Sequence, residues 1–324
     1  MNALLAEMTE LIGPQMAGVD ALFHQELKSD LACVNTLIKH VSRFRGKMLR
    51  PSLVLLSGRA CGTLTDAHTV IATVVEMVHM ATLVHDDVLD EAELRRKGAT
   101  INHLRGNEAA VLLGDCLISH SYHLCSSLDS QFASRLIGRT TNEVCEGELL
   151  QIDNRNNYGL TEQTYLEIIN RKTASLIAVS CELGARFAGA TDAQIAALAT
   201  FGRSIGTAFQ IQDDILDIVG DARTVGKTLG IDVEKGKMTL PMIHFMDTAP
   251  AEHRVLLRSL LERNDADKAE RIRNLILPSH SIEFARDRAK AYVDRARAAL
   301  AELPDSDARR VMDLMAEFVI ARND

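Results

Sequence analysis

The 324-residue sequence predicts an all-α protein, and three observations point to that fold class. Apolar residues recur at three- and four-residue spacing along nearly the whole chain, as Ile195, Leu198, Phe201 and Ile205 illustrate, and this is the period of an amphipathic helix. Only 6 prolines interrupt the sequence, and good helix formers dominate between them. No stretch alternates apolar and polar residues as a half-buried strand does. We therefore expect about ten or more helices in one domain spanning residues 1–324.

Clusters of Gly, Pro, Asn and Asp separate the helical patterns. These turn signals lie near Gly13-Pro14 and at 62–66, 154–161, 189–192, 247–251 and 304–307. The longest irregular segment is 220–241, which contains Gly220, Gly226, Gly230, Gly236, Lys227, Lys235 and Lys237. An irregular segment of this length inside a compact domain is usually functional.

Composition and charge exclude several classes of protein. The net charge of −8 and the pI of about 5.8 argue against a nucleic-acid partner, which needs a basic face. The 6 cysteines form no Cys-x-x-Cys pair, so we expect reduced thiols. The first residues include Glu7 and Glu10 and lack a basic run, which is unlike a signal peptide. The most apolar stretch, 69–84, is interrupted by Glu76 and His79, so we expect no membrane span and a cytoplasmic protein.

Two acidic runs carry the most informative pattern. Each reads Asp-Asp-x-x-Asp, with Asp86, Asp87 and Asp90 in the first and Asp213, Asp214 and Asp217 in the second. Residues four apart on a helix lie about 40° apart, so each run presents a narrow acidic stripe on an otherwise apolar helix, and Gln210 extends the second stripe. An acidic run is often a solvated surface, but clustered carboxylates in an apolar setting repel one another and need cations. Oxygen ligands suit Mg²⁺, which commonly bridges carboxylates and phosphates.

Basic residues complement these stripes. They are Arg45, Lys47, Arg50, Arg95, Arg96, Lys97, Lys172, Lys227 and Lys237. Each alone is typical of a solvated surface, but together they predict a site with two anions. Metal ions on the carboxylates hold one diphosphate, and arginine or lysine side chains bind the other directly. His79 lies seven residues before Asp86, on nearly the same helix face.

With these motifs the chain resembles the trans-polyprenyl diphosphate synthases, from about Arg45 to the C-terminus. The resemblance is dense over 46–51, 79–102, 107–115, 146–153, 172–173 and 209–241. It implies an all-α bundle around a central active-site cavity, usually a homodimer. It also implies head-to-tail condensation of isopentenyl diphosphate with an allylic diphosphate, with trans geometry and Mg²⁺ as cofactor. Transient membrane contact would release the product.

The resemblance also implies a role for each motif residue. The magnesium ligands would be Asp86, Asp90 and Asp213, supported by Asp87, Asp214 and Asp217. The allylic diphosphate would contact Arg95, Lys172, Lys227 and Lys237, and isopentenyl diphosphate would contact Lys47, Arg50, His79 and Arg96. Thr173 and Gln210 would stabilise the carbocation or position the allylic tail.

The sequence departs from the family pattern at two loops. Arg45 replaces the first of two usual glycines, and Lys97 displaces Gly98 by one place. Both changes leave the cationic positions intact, so we expect them to alter loop conformation rather than activity.

Product length is predicted from the helix that precedes Asp86. Short-chain members carry an aromatic residue where this chain has Ala81 and Thr82, and Val78 lies one turn deeper. This resembles the long-chain members that make quinone side chains and implies a product longer than geranylgeranyl diphosphate, although an alanine also serves helix packing. The alternatives are a farnesyl or geranylgeranyl diphosphate synthase and a non-catalytic subunit of a heteromeric synthase. A terpene cyclase would need a different second motif.

Overall fold

The computed structural model describes residues 2–96, 98–220, 230–263, 265 and 267–321, which are mostly helical. The prediction of an all-α bundle is confirmed. The helices are α1 (Asn2–Glu26), α2 (Ala32–Val41), α3 (Leu49–Cys61), α4 (Asp66–Leu89), α5 (Ile101–Arg105), α6 (Asn107–Ser126), α7 (Gln131–Asp153), α8 (Glu162–Ile169), α9 (Ser175–Phe187), α10 (Asp192–Val219), α11 (Ile231–Glu234), α12 (Leu240–Thr248), α13 (Ala251–Glu262), α14 (Lys268–Ile276), α15 (Ser281–Ala299) and α16 (Asp307–Ala321). Short 3₁₀ turns cover Ser42–Phe44 and Leu300–Glu302, and a π-helical segment covers Asn170–Ala174.

The chain folds into two compact units. The first comprises Met1–Asn142, Leu176–Gly202 and Ala299–Leu314, and the second comprises Glu143–Ser175, Arg203–Ala298 and Met315–Asp324. The assignment of residues 1–324 to one domain stays a prediction.

Helix α4 forms the core of the first unit. Every residue from 71 to 78 is buried, because α1, α3, α5 and α6 pack around this helix. By length and composition alone α4 also resembles a membrane span, despite Glu76 and His79, but 67% of its most apolar window is buried inside the protein. A core helix of a soluble protein has the same properties. The packing of α4 holds its last turn, which carries the first acidic motif, in a fixed position.

Helix α10 organises the core of the second unit. Ile211, Ile215 and Ile218 are buried in a cluster with apolar residues of α8, α12, α13, α14 and α15. These isoleucines recur every three or four residues and form one face of the helix, and the polar stripe of the second motif lies beside that face. Burial of the isoleucine face thereby fixes the orientation of the acidic residues beside it.

Three details differ from the sequence prediction. Gly13-Pro14 lies inside α1 rather than between two helices. Burial of Ile12, Val19 and Phe23 offsets the cost of a proline in a helix, which is about 3 kcal/mol. A small antiparallel hairpin pairs Leu94 with Ala99 and Arg95 with Gly98, where no strand is predicted. The described part of segment 220–241 contains α11 and the start of α12. The other predicted turns lie between helices.

Candidate active site

The first acidic motif lies at the C-terminal end of α4. Asp90 follows the last helical residue, and its N–H donates to the carbonyl of Asp86 at 2.8 Å. Asp86 and Asp90 are partly exposed, whereas Asp87 is buried. Nε and Nη2 of Arg95 both donate to Oδ1 of Asp87, each at 2.8 Å. Burial raises the pKa of the Asp87 carboxyl, and this contact with Arg95 opposes that rise.

The hairpin after α4 positions Arg95 and Arg96. Asn102 of α5 donates from Nδ2 to the carbonyls of Asp87 and Ala92, at 3.2 and 3.0 Å, and so ties the loop to the end of α4. Arg95 lies in the first strand, and Arg96 begins the turn with a φ of +48°. The extra residue noted in the sequence, Lys97, lies outside the described residues.

Arg96 crosses the loop that precedes α3. Its Nη1 donates to the carbonyl of Phe44 at 2.6 Å. A Cβ on Gly46 would lie 2.4 Å from Nη2 of Arg96, so a larger residue there would displace the guanidinium from this position. Arg45, the substituted position, points instead towards α1, where it pairs with Asp20 and stacks 4.2 Å above the ring of Phe23. The substitution therefore fixes α1 and leaves the crossing of Arg96 intact.

The positive charges of three arginines act on the side chain of His79. Burial lowers the pKa of His79 well below its usual value, and the charges of Arg50, Arg95 and Arg96 lower it further. The imidazole is therefore neutral at neutral pH. Burial also lowers the pKa of Arg50 to about 10, and its buried Nε has no hydrogen-bond partner among the described residues. Such a group suits an anionic ligand, which supplies both the missing acceptor and a compensating charge.

Glu76 is a member of this cluster that the sequence analysis missed. It is 2% exposed and one turn before His79 on α4. Burial raises the pKa of its carboxyl, while Arg50, Arg45 and Arg96 oppose that rise. The sequence signal that could have identified Glu76 is its position as an acidic residue inside an apolar run. Lys47 is exposed in the loop before α3, next to Met48 with a φ of +52°.

A π-helical segment carries Lys172 and Thr173 in the second unit. π-bulges inside α-helices occur frequently at functional sites. Helix α7 approaches this segment closely, because a Cβ on Gly147 would lie 2.6 Å from the backbone nitrogen of Lys172. Lys172 pairs with Glu148, and Gln151 donates from Nε2 to Glu148 Oε1 at 3.0 Å. Glu148 and Gln151 lie in a stretch of family resemblance but had no predicted role.

A hydrogen-bonded chain links Thr173 to the second acidic motif. Thr173 Oγ1 donates to Gln210 Oε1 at 3.1 Å, and Gln210 Nε2 donates to Asp214 Oδ1 at 2.8 Å. The buried Tyr165 hydroxyl, which the sequence analysis missed, donates to Asp214 Oδ2 at 2.7 Å. Burial raises the pKa of Asp214 well above its usual value, and Asp232 raises it further. Asp213 and Asp217 are partly exposed on either side of this buried carboxyl.

The two motifs thus follow one rule, each within its own unit. The middle aspartate is buried and bonded to a neighbouring polar or basic residue, whereas the outer two are partly exposed. Asp217 accepts backbone N–H groups at the start of α11, and Lys237 follows that helix. Lys227 lies outside the described residues.

The sequence matches the family model for polyprenyl synthetases over residues 32–276. The chain belongs to the polyprenyl synthetase family. It is 36% identical to the octaprenyl diphosphate synthase of Escherichia coli over 320 residues, 98% of this chain and 99% of that one. Its fold matches a decaprenyl diphosphate synthase from Rhodobacter capsulatus, with a TM-score of 0.92, 33% identity and 98% of both chains covered. Its fold also matches a Caulobacter crescentus polyprenyl synthase complexed with calcium and isoprenyl diphosphate, with a TM-score of 0.92, 35% identity and 98% of both chains covered.

Two predictions are confirmed by these comparisons: membership of this family and the identity of the chain as a trans-prenyltransferase. For this polyprenyl synthetase the donor set also fits a hard divalent cation, since the partly exposed groups of both motifs are carboxylates. Among the described residues no three His, Cys, Asp or Glu side chains are grouped closely enough to hold a metal by themselves.

The predicted chain-length residues of the synthetase differ in their exposure. Val78 and Ala81 are fully buried in the core of the first unit. Thr82 is partly exposed, and its Oγ1 donates to the carbonyl of His79 at 2.8 Å. The role of these residues in setting product length stays a prediction.

Proposed function

We propose that this polyprenyl synthetase condenses isopentenyl diphosphate with an allylic diphosphate, head to tail and with trans geometry, to give a polyprenyl diphosphate longer than geranylgeranyl diphosphate. The observation that carries the proposal is the common rule of the two acidic motifs. In each, the outer carboxylates are partly exposed while the middle one holds a residue that the family resemblance assigns to the substrate: Arg95 for Asp87, and Gln210 for Asp214. The octaprenyl and decaprenyl products named for the relatives support a long product.

Magnesium is the proposed cofactor, held by Asp86, Asp90 and Asp213 together with diphosphate oxygens. When bound it stabilises the negative charge that develops on the leaving diphosphate. The calcium and isoprenyl diphosphate named for the Caulobacter structure support a divalent ion at such a site. Asp87, Asp214 and Asp217 orient neighbouring groups in this proposal.

The basic side chains are preorganised to bind two diphosphates. Asp87 fixes the guanidinium of Arg95 and Glu148 fixes the ammonium of Lys172, so neither group has to be ordered when the substrate arrives. Around His79 the three arginines provide charge, while the neutral imidazole adds a donor or acceptor without adding to their repulsion. We assign Arg50, Arg96, Lys47 and His79 to isopentenyl diphosphate and Arg95, Lys172 and Lys237 to the allylic diphosphate.

A second copy of this chain is the proposed partner. On α6, Val111 and Tyr122 are 41% and 37% exposed and lie eleven residues apart, on one helix face, and the adjacent Leu112 is 68% exposed. Covering these side chains removes apolar surface from water. Sedimentation velocity should find wild type as a dimer and Leu112→Asp shifted to monomer. A Leu112→Asp variant that remains a dimer would exclude this face of α6 as the dimer interface.

We also propose a cytoplasmic location, with transient membrane contact for product release.

Product analysis tests the activity itself. Purified protein is incubated with Mg²⁺, labelled isopentenyl diphosphate and each allylic primer in turn, and the dephosphorylated products are chromatographed. We expect a ladder that extends past geranylgeranyl. A ladder that ends at farnesyl or geranylgeranyl would support a short-chain synthase, and no product with any primer would support a non-catalytic subunit.

A pair of variants on one helix tests the metal ligands. Asp213→Ala should lower kcat by about a hundredfold or more, because it removes a carboxylate that holds the proposed metal against the leaving group. Asp192→Ala, at the exposed first turn of the same helix α10, is the matched control and should leave kcat unchanged. Near-normal turnover of folded Asp213→Ala in excess Mg²⁺ would contradict the assignment.

A further inference from the structure

We infer that Asp217 is a positioning residue that holds the segment bearing Lys237, rather than a direct magnesium ligand. The inference rests on the proposed function, because Lys237 contacts the allylic diphosphate there. Both carboxylate oxygens of Asp217 accept backbone N–H groups. Gly230 donates to Oδ1 at 3.1 Å, and Asp232 donates to Oδ2 at 3.3 Å.

These contacts anchor the start of helix α11. The first N–H groups of a helix lack partners within it, and a side-chain carboxylate both satisfies them and favours the positive end of the helix dipole. The N–H of Gly230 also approaches the backbone carbonyl of Asp217, at 3.3 Å. Asp217 is in the last turn of α10, so the cap fastens α11 to a helix whose isoleucine face is buried in the core.

Backbone hydrogen bonds connect this cap to Lys237. The N–H of Lys237 donates to the carbonyl of Asp232 at 2.8 Å, one turn after the cap. Gly236, with a φ of +68°, closes that turn, and its carbonyl accepts the N–H of Asn156 at 2.8 Å. A Cβ on Gly236 would lie 2.1 Å from Oδ1 of Asn156, so the turn packs tightly against the loop before α8. Asp217 and Asn156 thus hold the backbone of Lys237 from two sides.

The third aspartate therefore differs from the first. The carboxylate of Asp217 accepts two backbone N–H groups of its own chain, and the carboxylate of Asp214 accepts hydrogen bonds from Gln210 and Tyr165. In this assignment only Asp213 of the second motif acts on the metal, and Asp217 acts on the substrate through Lys237.

Amide hydrogen exchange and steady-state kinetics on Asp217→Ala test the inference. Loss of a cap of this kind should speed exchange of the amides of residues 230–237 by about threefold or more. The KM for the allylic diphosphate should rise about tenfold, the size of a lost charged hydrogen bond, with a smaller change in kcat. The double variant Asp217→Ala with Lys237→Ala should be no worse than Lys237→Ala alone. Asp217→Asn keeps one acceptor oxygen and should recover part of the loss.

Two comparisons make the outcome decisive. Thr191→Ala removes the cap at the other end of α10, where Thr191 Oγ1 accepts the N–H of Gln194, and should leave exchange at 230–237 and the KM unchanged. Magnesium binding is measured by calorimetry in the presence of inorganic diphosphate. Weakened binding in Asp217→Ala equal to that in Asp213→Ala, with unchanged exchange, would overturn the inference. Because exchange needs no turnover, it tests the cap even if the proposed condensation fails.

Discussion

At the residue scale, identical aspartates have different environments because burial differs between adjacent positions of a helix. Asp87 points into the protein and holds Arg95, while Asp86 and Asp90 stay partly exposed. The same division recurs at Asp213 and Asp214. The motif predicts the acidic residues and their helix face, but not which carboxylate is bonded within the chain.

The basic residues should separate the two substrates. Arg50→Ala should raise the KM for isopentenyl diphosphate about tenfold, because a buried guanidinium contributes a charged hydrogen bond to its anion. Lys237→Ala should instead raise the KM for the allylic diphosphate. Steady-state kinetics with each substrate varied in turn measures both effects. Equal effects of the two variants on both substrates would count against two distinct diphosphate sites.

His79 should make the protein less stable in mild acid. Its folded-state pKa lies well below the ordinary value of 6.5, so the unfolded chain binds a proton first as the pH falls. Stability is therefore fully present above pH 6.5 and is lost progressively as the pH falls below that value towards the lower folded-state pKa. Urea denaturation from about pH 7.5 to about pH 5.5 should show a steeper loss of stability in wild type than in His79→Gln.

The exposed His123 is the matched control for this pH dependence. His123→Gln also removes one imidazole and should retain the wild-type slope of stability against pH. An identical slope in wild type and His79→Gln would show that protonation of other groups causes the acid sensitivity.

At the element scale, both acidic motifs lie where a helix tolerates them least. α4 ends at Leu89 and α10 at Val219, so the first motif and Asp217 lie at last turns, where the helix dipole is negative, while Asp213 and Asp214 lie one turn earlier. The charge of Asp90 raises the pKa of Asp87, which reflects their mutual repulsion. This arrangement lowers stability in the absence of cations, and it is typical of residues retained for function rather than folding.

Neutralising one of these charges should stabilise the protein without metal. Asp90→Asn removes a negative charge at the C-terminal end of α4 and should raise the free energy of unfolding by about 0.3–1 kcal/mol. Denaturant titration in the presence of a chelator measures the change. The same variant should turn over more slowly with Mg²⁺. A decrease in stability would mean that Asp90 makes contacts that outweigh the repulsion.

Periodicity predicts most elements, and the exceptions have physical causes. Turn signals mark the helix ends near Gly62 and Gly189, where backbone chemistry acts locally. Gly13-Pro14 gives a false signal, because distant packing sustains α1 through the proline. The π-helical segment at Lys172 packs closely against Gly147, twenty-five residues earlier, and no local pattern indicates this contact.

At the scale of the whole molecule, the contacts that the sequence could not predict join residues far apart in the chain. Tyr165 and Asp214 are 49 residues apart, and Arg96 and the Phe44 carbonyl are 52 residues apart. Helix spacing relates only residues within a few turns, so such pairs need the folded chain. The chemistry of the motifs predicts which residue types bind the substrates and the metal, whereas tertiary packing determines how those side chains are held in place.

Product length is a further whole-molecule property, and the variants Ala81→Tyr and Thr82→Phe test it. Ala81 lies about 7.5 Å before Asp86 along α4, so a tail growing from the metals along this helix would meet it early. Added bulk should shorten the product sharply while leaving the first condensation fast.

The two variants differ in their structural cost, which keeps the test informative. Ala81 is fully buried, so tyrosine there overpacks the core, at a typical cost of about 1–3 kcal/mol. Thr82 is partly exposed and has more room for a ring. Chromatography compares the product ladders of wild type and both variants, with denaturation confirming that each is folded. Unchanged ladders in two folded variants would mean that the growing chain does not pass this turn of α4, because a rigid ring fixed to a packed helix cannot yield to an isoprenoid tail.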